Sequence, residues 1–331
     1  MRAVAYTNYG SPDVLELKEV QKPTPKDSEV LIKVLAAATN VADWRLMRAS
    51  PFLVRLMGGG ILKPKHEILG TDVAGTVEAI GRNVNQFQPG DEVFANLSES
   101  GRGGFAEYTC ALERDVVSKP ANITFGEASA VPITGITALQ GLRDYGKIQA
   151  GQKVLINGAS GGVGTFAVQI AKSYGAEVTA VCSTQNLEMV RSIGADHVID
   201  YLKEDYTKNG LLYDLIFDAV ANHTVSENKR ALKSQGICVV VGFSTIFNMF
   251  KVMLGSFTSN TGGKKINSMT AALNKEDMVF IKELMEAGKV KTVIDRCYQF
   301  SEVPEALRYL EEGHAKGKVV IIMDHNKNVS N

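Results

Sequence analysis

The sequence is poor in the features that mark several large protein classes. Only four cysteines occur in 331 residues, Cys110, Cys182, Cys238 and Cys297, with no C-x-x-C pair among them. Neither a disulfide framework nor a cysteine zinc site is indicated, and Cys182 and Cys238, in apolar stretches, read as small core hydrophobes. No uninterrupted apolar run approaches the length of a bilayer span, so no integral membrane segment is expected. The opening MRAVAYTNYG enters strand-like sequence without the apolar core of a signal peptide, and the cytoplasm is the expected location. Neither sign of charge is in excess, with 36 Lys and Arg against 36 Asp and Glu. General affinity for polyanions is therefore not expected, and no nucleic-acid partner is expected.

What the chain does have is glycine in an informative place. Residues 151–172 read GQKVLINGASGGVGTFAVQIAK. Val154, Leu155 and Ile156 have the character of a buried parallel strand, and Phe166, Val168, Ile170 and Ala171 that of the helix after it. Between them Gly158, Gly161, Gly162 and Gly164, with Ala159, Ser160 and Val163, form a turn suited to a dinucleotide. Its glycines permit a tight turn, a close approach of main chain to pyrophosphate, and close packing of helix on strand. The helix N-terminus then meets the phosphates with free N–H groups and the positive end of its dipole.

From Val154 to Gly242 apolar strands alternate with helices, which implies a doubly wound parallel sheet. Up to about Asn122 the pattern is different: VLELKEV, EVLIKVLAAA, VAGTVEAIG, DEVFA and FAEYT are short strands between Gly, Pro and Asn turns, as in a compact, mostly β domain. Past Asn274 come a helix, a strand, a helix opened by Ser301, Glu302 and Pro304, and a last strand KVVIIMD. The expected fold class is α/β, a mostly-β domain with an inserted doubly wound one.

The glycine segment resembles one family position by position. Gly151, Gln152, Leu155, Ala159, Ser160, Gly161, Gly162, Gly164, Gln169 and Lys172 fit the quinone oxidoreductase (zeta-crystallin-like) branch of the medium-chain dehydrogenase/reductases. So do Gly70-Thr71-Asp72-Val73-Ala74-Gly75, Gly90-Asp91-Glu92-Val93, Gly104-Phe105-Ala106-Glu107-Tyr108, the stretch Pro132 to Ala138, and HAKGKVV from His314 to Val320, in matching order. The resemblance implies a GroES-like catalytic domain from residues 1–125 and 266–331, a Rossmann NAD(P)-binding domain at 126–265, a cofactor in the cleft between them, and a homodimer.

In an NAD-preferring Rossmann unit a carboxylate about 20 residues past the glycines binds the ribose hydroxyls. Here the second strand ends VTAVCSTQN, so Ser183, Thr184, Gln185 and Asn186 occupy that place. Small hydroxyls can donate to the 2′-phosphate that a carboxylate would repel, and NADPH is expected over NADH. The same residues also suit a helix N-cap. The resemblance adds Tyr201 as a contact to the 2′-phosphate, and Thr134, Val220, Gly242, Phe243 and Lys318 as further cofactor-binding positions.

Zinc is not expected. With Gly70 aligned to the glycine of the Gly-His-Glu segment in related zinc dehydrogenases, Thr71 falls at the histidine, Asp72 at the glutamate, and Asn40 at the early cysteine ligand. His66-Glu67 lies upstream, with no glycine before it. Zinc catalysis needs three protein ligands and an open position, and that set is not assembled.

Hydride transfer is the nicotinamide's own chemistry, so the protein has to orient the ring and shape the acceptor pocket. An acceptor that needs no Lewis acid is one whose product anion is already delocalised, a quinone or an α,β-unsaturated carbonyl (an enone or enal). The resemblance puts Asn40 and Asp43 on the nicotinamide and substrate side; Asp43 reads equally as a helix cap. Trp44 and Arg45 stand where relatives often carry a tyrosine, leaving solvent to protonate the product. The Met- and Phe-rich residues 246–257 read as a pocket wall or as a packed helix. Two other functions fit the same residues, a non-catalytic NADPH-binding protein of crystallin or regulatory type, and a metal-free enoyl reductase with another substrate.

Overall fold

The computed structural model describes residues 1–50, 52, 54–55, 60–241 and 263–325. The expectations placed on Gly242, Phe243 and residues 246–257 lie outside the described residues. In chain order the strands are β1 (Arg2–Ala5), β2 (Glu16–Glu19), β3 (Glu29–Ala38), β4 (Asp72–Ile80), β5 (Glu92–Asn96), β6 (Tyr108–Leu112), β7 (Val116–Ser118), β8 (Lys153–Asn157), β9 (Glu177–Cys182), β10 (His197–Asp200), β11 (Tyr213–Asp218), β12 (Leu232–Val240), β13 (Lys265–Ser268), β14 (Ile294–Gln299) and β15 (Lys318–Ile322).

The chain divides into two compact units. The first comprises Met1–Ile133, Leu273–Lys282 and Ile294–Asn331. Its main sheet runs β14-β15-β3-β4-β5-β7, with β6 also paired to β3. All neighbours in it are antiparallel except β14 and β15. Val30, Ile32 and Val34 of β3 point one way at the strand period of two, and join Val93, Phe105 and Leu307 in one buried cluster. The C-terminal strand β15 lies against β3, with Val320 opposite Ala38. Just past β3 the chain enters the helix Val41–Arg48, whose start is fixed by a capping box between Asn40 and Asp43.

The second unit comprises Thr134–Ala272 and Glu283–Val293. Its six strands are all parallel, in the order β10-β9-β8-β11-β12-β13. Val154, Leu155 and Ile156 of β8 are wholly buried. At about 2 kcal/mol for each buried side chain, a continuous apolar run here is what a strand in the middle of a parallel sheet requires. Chain order reverses direction at β8, which has β9 on one side and β11 on the other. In open α/β sheets that switch point, at the carboxyl ends of the strands, is where ligands bind. No helix among the described residues is long and apolar enough to cross a membrane.

Candidate functional site

The glycine turn leaves the carboxyl end of β8 at the switch point. The Gly158 and Ala159 amides donate to Val181 O at 3.2 and 3.0 Å, tying the turn to β9. Gly158 has φ +81, and a Cβ there would come within 2.7 Å of Val220 Cγ2. A Cβ on Gly164 would stand 2.1 Å from Gly158 O and 2.8 Å from Ala159 Cα. The turn is thus folded as closely as main chain allows. The helix Gly162–Ser173 starts at Gly161 with no side chain capping its first amides. Ser160, Gly161, Gly162 and Val163 are partly exposed, while Gly164 to Ala171 are buried. Uncapped N–H groups at a partly exposed helix start form an anion site, and the residues present fit a dinucleotide pyrophosphate.

Beyond β9, Ser183 opens the short turn Thr184–Asn186. Asn186 is buried and its Nδ2 donates to Ser160 Oγ and Ser183 Oγ, both at 3.1 Å, bracing the glycine turn against the end of β9. Thr184 Oγ1 donates to Asp200 Oδ2 at 2.5 Å. Gln185 is exposed. Tyr201 is 57% exposed, and its amide donates to Cys182 O at 3.1 Å. Val220 follows β11, its amide donating to Asp218 Oδ1 at 3.1 Å. Thr134 is buried near the start of the helix Pro132–Gln140. The candidate residues from Gly158 to Gly164, Ser183, Thr184 and Val220 therefore gather around the ends of β8, β9 and β11. Sequence reasoning missed the bracing role of Asn186, and missed Asp200, a carboxylate delivered from the neighbouring strand.

Asn40, Asp43 and Lys318 lie in the first unit, within one buried polar cluster. Asn40 Nδ2 donates to Asp72 Oδ2 at 3.0 Å and to Thr71 Oγ1 at 3.3 Å. Its Oδ1 accepts from Lys318 Nζ at 2.7 Å, and its amide donates to Asp43 Oδ2 at 2.7 Å. Lys318 Nζ also donates to Thr39 O at 3.1 Å. Asn96 Nδ2 at 2.6 Å holds the other oxygen of Asp72, and the Gly70 amide at 3.2 Å holds the other oxygen of Asp43. Asn40 is the hub of three buried ionisable side chains. Burial pushes the Asp72 carboxyl up, opposed by the Lys318 charge and by the Asn40 and Asn96 amides. Burial likewise pushes the Lys318 ammonium down, opposed by Asp72 and Asp43.

The cluster also tests the fit of zinc. At the positions matching the zinc ligands stand a carboxamide, a hydroxyl and a carboxylate, bound to one another, and Lys318 brings an ammonium into the same network. An ammonium hydrogen-bonded into the set is the wrong neighbour for a dication, and the residues do not fit zinc. Among the described residues no group of three or more His, Cys, Asp or Glu could hold a metal ion, so His66 belongs to none.

Asp43 accepts two backbone amides and is wholly buried, the geometry of a cap. Burial outweighs those bonds and lifts its carboxyl to about 6, with a nearby Arg102 charge pulling the other way. A folded-state value above the unfolded one favours the protonated form. Its contribution to stability is full below the ordinary carboxylate range and is lost as pH rises through about 6. In urea unfolding, wild type should therefore gain stability relative to Asp43→Asn between pH 7 and pH 5. Parallel pH profiles for the two proteins would count against this.

The alcohol dehydrogenase GroES-like domain model matches residues 26–121, and the zinc-binding dehydrogenase model matches residues 193–321. The chain is 37% identical to a chloroplastic quinone-oxidoreductase, QR1, of Triphysaria versicolor, over 97% of this chain and 98% of that one. It is 36% identical to a chloroplastic NADPH-dependent alkenal/one oxidoreductase of Arabidopsis thaliana, over 97% of this chain and 79% of the other. Among solved structures it is similar to the quinone oxidoreductase from Coxiella burnetii, with TM-score 0.86, 27% identity, and coverage of 98% and 99% of the two chains.

Proposed function

Because this chain belongs to the quinone oxidoreductase branch of the medium-chain dehydrogenase/reductase superfamily, we propose that it transfers hydride from NADPH, without zinc, to a quinone or an α,β-unsaturated carbonyl. It is an oxidoreductase that uses a nicotinamide cofactor. The observation that carries the acceptor class is the Asn40 hub. Where zinc relatives polarise a carbonyl with metal, this chain has an internally satisfied network around Lys318. Without a Lewis acid, the acceptor has to delocalise the charge it receives, as quinones and enones do.

A bound nicotinamide would supply the hydride itself. The turn from Gly158 to Gly164 would hold its pyrophosphate, with Val220 against the turn and Thr134, Tyr201 and the residues after β9 as further contacts. The absence of a carboxylate along the end of β9, and the hydroxyl of Ser183 there, support NADPH. The name of the Arabidopsis relative points the same way. Asn40 would face the acceptor with its amide orientation already set, since Lys318 takes its oxygen and Asp72 and Thr71 its nitrogen. Asp43 has both oxygens engaged by backbone and acts as a holder of Asn40, so the product proton comes from solvent. A homodimer belongs to the same proposal and rests on the family.

Purified protein is expected to oxidise NADPH in the presence of some members of a panel of quinones and alkenals, at a rate unchanged by prolonged chelation. No turnover with any acceptor would sink the acceptor class. Loss of rate on chelation would sink the zinc-free reading, and equal or better use of NADH would sink the NADPH preference.

A further inference from the structure

The carboxylate missing from the end of β9 is present in space. β10 runs parallel to β9 with Asp200 beside Cys182, the residue before Ser183. The side chain of Asp200 is oriented from two sides. Leu202 N donates to Oδ1 at 3.1 Å, and Lys203 Nζ approaches Oδ2 at 3.6 Å from a solvent-exposed stem. The third partner is the hydroxyl of Thr184 at 2.5 Å. A threonine hydroxyl has one proton, and here that proton is committed to the carboxylate. Thr184 therefore presents lone pairs, and not a donor, on its remaining side. Lone pairs suit a ribose 2′-hydroxyl, which can donate to them; they do not suit a 2′-phosphate, which only accepts at neutral pH.

Resting on the dinucleotide reading of the glycine turn, we infer that Asp200 is the residue that limits this site's preference for NADPH over NADH. It acts in two ways, by taking the Thr184 proton and by keeping a negative charge beside the place a 2′-phosphate would occupy. The Thr184 bond, the leading influence on Asp200, also keeps its carboxyl below the usual range, so the charge persists at neutral pH. Lys203, whose side chain is 71% exposed, is the nearby cation and screens that charge only partly. The site is accordingly set between the two nucleotides, and not wholly for either.

The test compares dissociation constants for NADPH and NADH, and for the fragments 2′,5′-ADP and 5′-AMP, in wild type, Asp200→Asn and Thr184→Val. Asp200→Asn should raise the NADPH-to-NADH affinity ratio about tenfold, as removal of one charge near a phosphate at intermediate effective dielectric implies. The fragment ratio should move by the same factor, and the effect should shrink as salt is added. Thr184→Val should raise the ratio by less than Asp200→Asn does, because it removes the lone pairs offered to a ribose 2′-hydroxyl while Asp200 stays charged, and Thr184→Ser should behave as wild type. A uniform loss of both nucleotides in Asp200→Asn would mark a merely structural role and overturn the inference, as would an unchanged ratio. The wild-type ratio alone speaks to the NADPH reading, so the two can fail separately. Should Asp200→Asn not fold, Asp200→Ser takes its place with the same expectation.

Discussion

Gly164→Ala is expected to abolish nucleotide binding at concentrations that saturate the wild type. The single added carbon has nowhere to go, since its position lies 2.1 Å from Gly158 O and 2.8 Å from Ala159 Cα, both backbone atoms. Relief requires the helix Gly162–Ser173 and the turn to part by about an ångström, and a misplacement of that size typically costs about 100-fold in a positioned site. A fall in melting temperature should accompany it, because the helix packs on the turn that follows β8 through this contact. Gly161→Ala separates the two effects. Its Cβ would meet Gly158 O at 3.5 Å, an ordinary contact, so the protein should fold normally. Any loss of affinity there reports the close approach of ligand to main chain. Calorimetric titration with NADPH and thermal melts check both, and normal binding by Gly164→Ala would remove the turn as the phosphate cradle.

Lys318→Met should produce the second large effect, in the other unit. Lys318 is 4% exposed, and methionine keeps much of its volume but removes the ammonium bonded to Asn40 Oδ1 and Thr39 O. Two acceptors are left unmet, and the buried Asp72 loses its nearby cation. Removing one partner from a buried charged network costs about 3 to 5 kcal/mol, a large part of a domain's stability. Asp72→Asn in the same chain should recover part of the loss, because the remaining buried charge goes with it, and the pair should be non-additive. Urea unfolding at pH 7 measures this. If Lys318→Met is as stable and as active as wild type, the hub has no role in either.

The glycine turn and the parallel sheet were legible because their signals are local. One strand, one turn and one helix within 151–172 carry the whole pattern, and Val154 to Ile156 announce their burial by composition alone. The alternating strands of the first unit were legible for the same reason. The polar cluster was legible only as separate residues matched to a family. Asn40 follows β3, Thr71 precedes β4 and Asp72 begins it, and Lys318 begins β15, and no spacing rule links an amide to a lysine 278 positions away. Asp200 was missed for a related cause. The ribose carboxylate is a feature of the end of β9, whereas a parallel sheet brings the end of β10 to the same place across the strands. Asp43 was open between a substrate-side group and a cap. Its bonds to the Asn40 and Gly70 amides give it the geometry of a cap, and the second of those donors belongs to a turn that local sequence does not connect to the helix.

The pairing of β15 with β3 also governs when the hub can first exist during synthesis. Val320 must meet Ala38, and Lys318 must meet Asn40, so 278 residues past Asn40 have to be made before the first unit's sheet gains β15. At ordinary elongation rates of roughly 5 to 20 residues per second, that interval is on the order of half a minute. During it the edge of β3 that β15 will cover has no partner, and the buried charges of Asp43 and Asp72 have no lysine. The glycine turn, β8 and β9 are neighbours in sequence and have no such wait. A nascent chain of this protein would have its glycine turn well before it has the Asn40 hub.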